Sequence, residues 1–315
     1  MLRFLIRRIA FAVLVLWIVT TGVFILFFVA APDPAARFAG KSATPQTLAL
    51  VRHRLGLDQS KIVQYGNFLK RLFHGDLGYS FATQQSVNTM IKQALPASLS
   101  LILGAAVLWM FAGIVSGVLS ATRARSILDR VITLFVLLGI SMPAFVVGLT
   151  LIYLLAGSVL TIFPPSGYAN LLSGPVQWFQ HLVLPWITLA FLQTAIYTRL
   201  TRGSLLDVLG EDYIRTARAK GLPERTVVYR HGLRSALTPV LTQFGIDIGV
   251  LIGGTLVTES VFGLQGIGQL TIRSLTLGDL PVIMAVVLVA AFFVVLANLL
   301  VDVGYSFLDP RIRLS

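Results

Sequence analysis

The chain has 315 residues, of which 56% are hydrophobic and 12% are charged, and it carries a net charge of +12. A soluble domain has roughly twice that charged fraction, so this composition excludes a water-soluble fold and requires lipid around much of the chain. The absence of cysteine excludes disulfides, thiolate metal sites and cysteine nucleophiles. The basic residues lie in short segments between apolar runs, which favours a role in membrane topology over nucleic-acid binding.

Six segments are apolar enough to span a membrane, for which about 20 residues are needed. In chain order, the predicted spans are 9–31, 96–122, two spans within 131–198, 235–258 and 280–301. The breaking residues 164–167 divide the long run, and 168–180 is predicted to be the connecting loop. Pro143 predicts a kink in the third span. The fold predicted from this pattern is an all-α polytopic membrane protein with six transmembrane helices.

The distribution of Lys and Arg predicts the orientation of these spans. Basic residues concentrate at the N-terminus, before the third span and in 199–234, and two more lie in the tail 309–315. This bias places both termini and the 199–234 loop in the cytoplasm. The sequence then divides into an N-terminal span with a long outside segment (1–95), a five-helix core (96–308) and the tail.

The outside segment 32–95 shows helical spacing of apolar residues within 45–72. The residues that carry this spacing are Leu48, Val51, Leu55, Ile62, Tyr65 and Leu69. Turn-forming residues follow at 75–80. Asp76, Tyr79 and Ser80 are candidates for an outer gate or a protein contact, and a simple packed cap is the alternative.

The 199–234 loop is predicted to contain an amphipathic helix over 204–220. Its apolar side chains, spaced three or four apart, are Leu206, Leu209, Tyr213 and Ala217. Glu211 and Arg215 have the i, i+4 spacing of an ion pair. A helix on the lipid surface and a docking site for a soluble partner both fit this pattern.

A turn is predicted to end this helix. Gly221 follows a basic last turn, where a C-terminal cap with positive φ is expected. Pro223 suits the start of a second helix over 224–236.

The fifth span carries small residues and one acid. Gly245, Gly249 and Gly253 recur every four residues, which would let another helix approach closely. Asp247 lies among them, and an intramembrane acid faces a bundle interior or a wet cavity. It is a candidate pathway residue that senses the amino terminus of a substrate, and a satisfied interface group is an equal alternative.

No nucleotide or metal site is expected in this chain. Gly40-Lys41-Ser42 resembles the end of a phosphate-binding loop, but position 35 is Ala where the loop needs Gly. The four histidines are scattered along the sequence.

The stretch "GEDYIRTARAKGLPERTVVYRHGLRSALTPV" resembles the cytoplasmic signature loop of ABC importer permeases, in the version carried by dipeptide and oligopeptide permeases. The wider signature begins Glu-Ala-Ala, with Gly four places after the second Ala. Here Arg215, Thr216 and Ala217 occupy the first three places and Gly221 the last. Arg in place of Glu is usual for the peptide branch.

Further fragments are similar to the B-type peptide permease in the same order along nearly the whole chain. They are "RLGLDQSKIVQYGNFLKRLFHGDLGYSF", "SMPAF", "FPPSGY", "HLVLPWITLAF", "VTESVFGLQGIGQL" and "DVGYSFLDPRIR".

The resemblance implies a type I ABC importer permease in a bacterial inner membrane that performs no covalent chemistry itself. A second related permease, two ATPase subunits holding ATP and Mg²⁺, and an extracytoplasmic binding protein are the implied partners. Substrate crosses by alternating access. The implied ATPase-coupling residues are Glu211, Asp212, Arg215, Thr216, Ala217 and Gly221, and the outer segment would meet the binding protein.

Other functions remain as alternatives at this point. A proton-coupled secondary transporter would need several intramembrane acids, and only Asp247 and the near-interface Glu259 and Asp302 are available. A membrane enzyme would need a catalytic constellation that the sequence lacks, and a structural scaffold is the third alternative. Permeases similar to this one carry dipeptides, longer peptides, glutathione or nickel chelates.

Overall fold

The structure is a computed structural model that describes residues 2–30, 35–36, 44–80, 82–157, 159–172 and 174–308. Within these ranges the chain is mostly helical, with one two-stranded antiparallel hairpin, so the predicted all-α class is confirmed. The predicted tail 309–315 and the Gly40-Lys41-Ser42 triplet lie outside the described residues.

The N-terminal part begins with a long helix that ends in a π-helical turn over Ile25–Val29. Its elements are α1 (Leu2–Phe24), α2 (Pro45–Leu55), α3 (Lys61–Phe73), β1 (Tyr79–Ser80), β2 (Gln85–Ser86) and α4 (Val87–Thr122). The helical spacing predicted over 45–72 therefore belongs to two helices. Gly56 separates them, because its φ of 61° is a left-handed conformation that ends α2.

The short helices α2 and α3 pack against the end of α1 and against α13, defined below. Val51 and Phe68 are buried together with Phe24 and Phe28. Ile62, which shares the predicted apolar spacing, is 84% exposed instead. The break after α2 resets the helical phase, so Ile62 lies outside the buried stripe of α3.

The remaining chain forms the helical bundle. Its elements are α5 (Ile127–Ser141), α6 (Ala144–Leu155), α7 (Pro175–Leu209), α8 (Asp212–Ala219), α9 (Glu224–Thr226), α10 (Leu233–Gly254), α11 (Leu256–Val261), α12 (Ile267–Leu277) and α13 (Leu280–Leu308). The helix α7 begins with Pro175, a residue favoured in the first turn, so the loop predicted over 168–180 ends earlier than expected.

The centre of the bundle is the pair α4 and α7. Trp109 and Tyr197 are fully buried between these helices and neighbouring α10. Glycines of α4 permit the close approach, since a Cβ added at Gly113 would lie 2.5 Å from the Cβ of Tyr197. A Cβ at Gly117 would lie 2.6 Å from the Cβ of Thr201. Small residues therefore set the contact distance between these two helices.

The third predicted span is broken rather than kinked at Pro143. The helices α5 and α6 meet at 106° across Met142 and Pro143. Met142 has an extended backbone with ψ of 124°. The residue before a proline is disfavoured in the helical region, which explains why the break falls here.

Four helical segments are long and apolar enough to cross a membrane: Ile6–Val29, Val87–Thr122, Pro175–Leu209 and Leu280–Leu300. The bent pair α5–α6 would make a fifth. The described part of α10, the predicted fifth span, is not among the helices that are long and apolar enough to cross a membrane. Its polar residues, such as Gln243 and Asp247, lower its hydropathy. The described residues thus support a polytopic membrane protein with four or five candidate spans, and six spans are not confirmed.

Candidate coupling loop and polar clusters of the bundle

The 199–234 loop contains a short helix, α8, that is distinct from α7. The helix α7 continues to Leu209, and Gly210 with Glu211 then separates it from α8. The predicted helix over 204–220 is therefore wrong in its bounds, because 204–209 belongs to the end of α7. Glycine has low helix propensity, which accounts for the break at Gly210.

The helix α8 has one buried and one exposed face. Ile214 is fully buried and Ala217 nearly so, and both pack against Val227 with Leu209 nearby. Tyr213, predicted on the apolar face, is 46% exposed instead. The exposed face carries three residues of the predicted coupling set: Asp212, Arg215 and Thr216. This face is available for contact with another protein or with lipid headgroups.

The predicted ion pair between Glu211 and Arg215 is wrong. Glu211 is the N-terminal cap of α8, with an extended backbone, so its side chain is not on the helical face. Arg215 instead lies 3.4 Å from the carboxylate of Asp212, with both side chains largely exposed. Screening by water leaves such a pair close to energetically neutral.

A second ion pair closes the turn after α8. Arg218 donates two hydrogen bonds to the carboxylate of Glu224, at 3.1 and 2.7 Å. The pair lowers the pKa of Glu224 and raises the pKa of Arg218, because the hydrogen-bonded contact favours both charged forms. It joins the last turn of α8 to the start of α9.

The turn itself depends on Gly221, as predicted. Its φ is 74°, the left-handed value expected just beyond a helix end. A Cβ at this position would meet no atom within 4 Å. Any strain from a substitution would therefore come from the backbone conformation and not from crowding.

The predicted second helix over 224–236 does not end where expected. After α9, a π-helical turn over Val227–Gly232 leads directly into α10. No break occurs at Ala236, since helical residues continue on both sides of it. The loop is thus helical almost throughout and is continuous with the bundle at both ends.

A buried carboxylate ties α7 to the other helices near this loop. Asp129 accepts two hydrogen bonds from Arg202, both at 3.0 Å, and one from the backbone N–H of Arg125 at 2.8 Å. The Ser120 hydroxyl also donates to it. Since Ser120 is on α4 and Asp129 on α5, this cluster holds three helices together close to the end of α7.

Asp247 lies on α10 and is half-buried against α7. The Tyr197 hydroxyl donates to one carboxylate oxygen at 2.9 Å, and the Gln243 amide donates to the other at 2.8 Å. A carboxylate can accept about four hydrogen bonds, so these two leave capacity for a further donor. Asp247 is therefore hydrogen-bonded within the bundle, and its role as a pathway residue stays a prediction.

At least one glycine of α10 packs against another helix of this same chain. Gly245 and Gly249 are buried, and a Cβ added at Gly249 would lie 3.3 Å from Val294 of α13. Gly253 belongs to α10, but its surroundings are outside what the structure describes. A role of these glycines at a contact with a second permease stays a prediction.

The predicted outer residues cluster around the β1–β2 hairpin, but their environments differ. Ser80 is buried, and its hydroxyl donates to Asp279 at 2.5 Å. Asp76 is exposed and accepts from the N–H of Gly78 at 2.9 Å. The guanidinium of Arg54 lies 5.5 Å from the centre of the Tyr79 ring. Ser80 thus anchors the hairpin, while Asp76 and Tyr79 remain accessible.

The sequence reasoning missed a second buried carboxylate. Glu259, considered a near-interface acid, is completely buried. It accepts hydrogen bonds from the hydroxyls of Ser98 at 2.6 Å and Thr255 at 2.8 Å, and from the N–H of Gln269 at 3.0 Å. Ser98 also accepts from the N–H of Ile267. We name these five residues the Glu259 clamp, which joins α4, α11 and α12.

A local signal existed for one of the missed carboxylates. Ser126 and Asp129 have the spacing of a helix N-terminal cap, and the Ser126 hydroxyl does accept from the N–H of Asp129. Nothing local pairs Asp129 with Arg202, which lies 73 residues further along the chain.

The fold and these sites describe a polytopic membrane protein with an exposed, partly helical loop. Two family models match the chain. The binding-protein-dependent transport system inner membrane component matches residues 113–314, and the N-terminal region of such membrane components matches residues 1–102. The chain belongs to this family of ABC transport permeases, whose members are membrane permeases and not enzymes.

Curated relatives agree over the full length. A Brucella abortus (strain 2308) protein described as a peptide transport system permease is 40% identical over 99% of both chains. A peptide ABC transporter permease of Sinorhizobium fredii is 38% identical over 98% of this chain and 99% of its own. The glutathione transport system permease of Escherichia coli K12 is 37% identical over 99% of both chains.

Proposed function

We propose that this chain is one of two permease subunits in an ATP-driven importer that carries peptides into the cytoplasm by alternating access. The observation that carries the proposal is the match to ABC permeases over 1–102 and 113–314, together with relatives described as peptide permeases. The partners are a second permease, two ATPase subunits that bind ATP and Mg²⁺, and an extracytoplasmic binding protein. This chain holds no nucleotide.

The helix α8 is the proposed contact with an ATPase subunit. Its exposed face carries Asp212, Arg215 and Thr216, while Ile214 and Ala217 fix it to the base of the bundle. Movement of an ATPase would reach α7 through these apolar contacts. The Asp129–Arg202 pair would then pass the movement to α4 and α5.

Asp247 is the proposed contact with the substrate along the pathway. Its carboxylate has two hydrogen-bond partners and capacity for a third, which suits the ammonium group of a peptide. The outer residues Asp76 and Tyr79 are the proposed contact with the binding protein, since Asp76 precedes the hairpin, Tyr79 begins it, and both are exposed.

The proposed orientation has both termini and the 199–234 loop in the cytoplasm, with 32–95 outside. Because the chain has no cysteine, single cysteines test it directly. A membrane-impermeant thiol reagent on intact cells should label Ser60→Cys and not Arg225→Cys, both at exposed positions. Labelling of Arg225→Cys alone would reverse the orientation.

Transport is tested with the whole complex reconstituted in vesicles. Uptake of a labelled tripeptide should require ATP, the binding protein and both permeases, and this chain alone should not transport. Robust ATP-independent uptake by the chain alone would contradict the proposal.

Glutathione is a second candidate substrate, because the glutathione permease relative is 37% identical to this chain. A competition experiment distinguishes the two candidate substrates. Peptides should inhibit labelled peptide uptake at lower concentrations than glutathione does, and the opposite order would assign the system to glutathione.

A further inference from the structure

An amphipathic groove lies between the N-terminal helix and the rest of the bundle. Its apolar part, of about 600 Å³, is bounded by α1, α3, α4 and α13, with Trp17 and Phe292 among its walls. A second cavity of about 410 Å³ continues it. The two share Leu72, Leu77 and Leu288, so they form one groove with two chemically different ends.

The second cavity carries the charged end of the groove. Arg54, Arg71 and Asp76 line it, which leaves one net positive charge. Asp76 already accepts a hydrogen bond from the N–H of Gly78. Among the described residues, neither arginine forms an ion pair. Both guanidinium groups therefore have donors available for an anion.

The length of the groove matches the length of one lipid molecule. Val13 lines its apolar end and Phe28 its charged end. Positions 13 and 28 are about 22 Å apart along a helix. Half of a bilayer that is about 40–45 Å thick with its headgroups is nearly the same distance, so the groove is long enough for one hydrocarbon tail and its headgroup.

We propose that this groove is a binding site for one anionic glycerophospholipid of the surrounding membrane. An acyl chain lies along the apolar walls between α1 and α13, and the headgroup phosphate lies against Arg54 and Arg71. Apolar walls and a positively charged mouth complement the two ends of such a lipid. The site would fix α1 and α3 to the bundle, and it depends neither on the transported substrate nor on the direction of transport.

The charged end is tested by titrating lipid into the full-length chain purified with its copurifying subunits in neutral detergent. Native mass spectrometry would count bound phosphatidylglycerol, with zwitterionic phosphatidylcholine as the comparison. Arg71→Gln should weaken phosphatidylglycerol binding about fivefold, the ratio expected for one basic residue near a lipid headgroup. Lys70→Gln is the matched control, because Lys70 is the exposed neighbour of Arg71 and lines neither cavity.

The apolar end is tested by filling it. Ala291→Trp places an indole inside the groove and should reduce lipid binding, whereas Leu300→Trp, at an exposed position outside it, should not. Equal binding of the two lipids, equal losses in Arg71→Gln and Lys70→Gln, or undiminished binding in Ala291→Trp would each overturn the proposal. Should Ala291→Trp fail to fold, the comparison of Arg71→Gln with Lys70→Gln still decides it.

Discussion

The charged side chains of α8 stand in solvent, whereas the carboxylate of Glu259 is completely enclosed by the bundle. In α8, Arg215 and Asp212 are both largely exposed and their contact is 3.4 Å long. In the Glu259 clamp, two hydroxyl groups and one backbone N–H, from three positions along the chain, donate hydrogen bonds to the carboxylate. The same residue types therefore serve different purposes: the exposed charges are suited to contact another molecule, and the enclosed one holds helices together.

The largest effect on stability is expected from the Glu259 clamp. Glu259→Ala would leave Ser98, Thr255 and the N–H of Gln269 without their acceptor. Each buried unsatisfied group costs about 1–3 kcal/mol, so the complex should unfold at a much lower temperature in detergent. Glu211→Ala, at an exposed position, is the control and should leave unfolding unchanged. A Glu259→Ala protein as stable as the wild type would show that the clamp is not structural.

The second largest loss of stability is expected when the ion pair between Asp129 and Arg202 is broken. Asp129 is buried and Arg202 partly exposed, so breaking the pair should destabilise the protein by about 2–3 kcal/mol, less than a fully buried pair. The measurement is a double-mutant cycle of Asp129→Asn and Arg202→Gln by thermal unfolding. If the two losses simply add, the residues do not act as a pair.

These two clusters also mark the limit of sequence reasoning in this protein. The turn at Gly221 was predictable, because it depends on adjacent residues and one backbone angle. The all-α class followed from the apolar runs. By contrast, Ser98 and Glu259 are 161 residues apart, and no local pattern indicates that they meet. The predicted helix bounds were also wrong in places. No helix-breaking residue stops α7 at its predicted end at 198, so the helix continues to Leu209.

Gly221→Val should have a smaller effect on stability and a clear effect on transport. A β-branched residue at a φ of 74° is strained by about 1–3 kcal/mol, and no neighbouring atom adds to this. The strain should displace α8 relative to the ATPase, so uptake should fall while membrane insertion holds. Gly221→Asn is the matched control, because Asn tolerates this conformation. Loss of uptake in both variants would point to a role other than the backbone angle.

The Arg218–Glu224 pair should contribute less than about 1 kcal/mol, because both side chains are exposed to water. The pKa of Glu224 is lowered in the folded state. Its contribution is therefore present above the unfolded pKa and is lost as the pH falls through the folded pKa. Glu224→Gln should therefore lower the unfolding temperature slightly near neutral pH, and it should remove the part of the acid-induced decrease that this pair causes. A variant whose pH profile matches the wild type would show that the pair adds nothing measurable.

Arg215→Glu should have the smallest effect on stability and is the sharpest test of what the exposed face of α8 does. The change replaces a solvent-exposed contact with Asp212 by two like charges at the same spacing, which costs little in water, so unfolding should be nearly unaltered. It also reverses the charge that α8 would present to an ATPase subunit, and like charges at an interface weaken association. Uptake by the reconstituted complex should therefore fall strongly while expression and insertion remain normal. Arg225→Glu is the control, since it makes the same change at an exposed position of the same loop but outside α8. If both variants transport normally, α8 is not the mechanical link, and a helix lying on the lipid surface becomes the better interpretation of its amphipathic pattern.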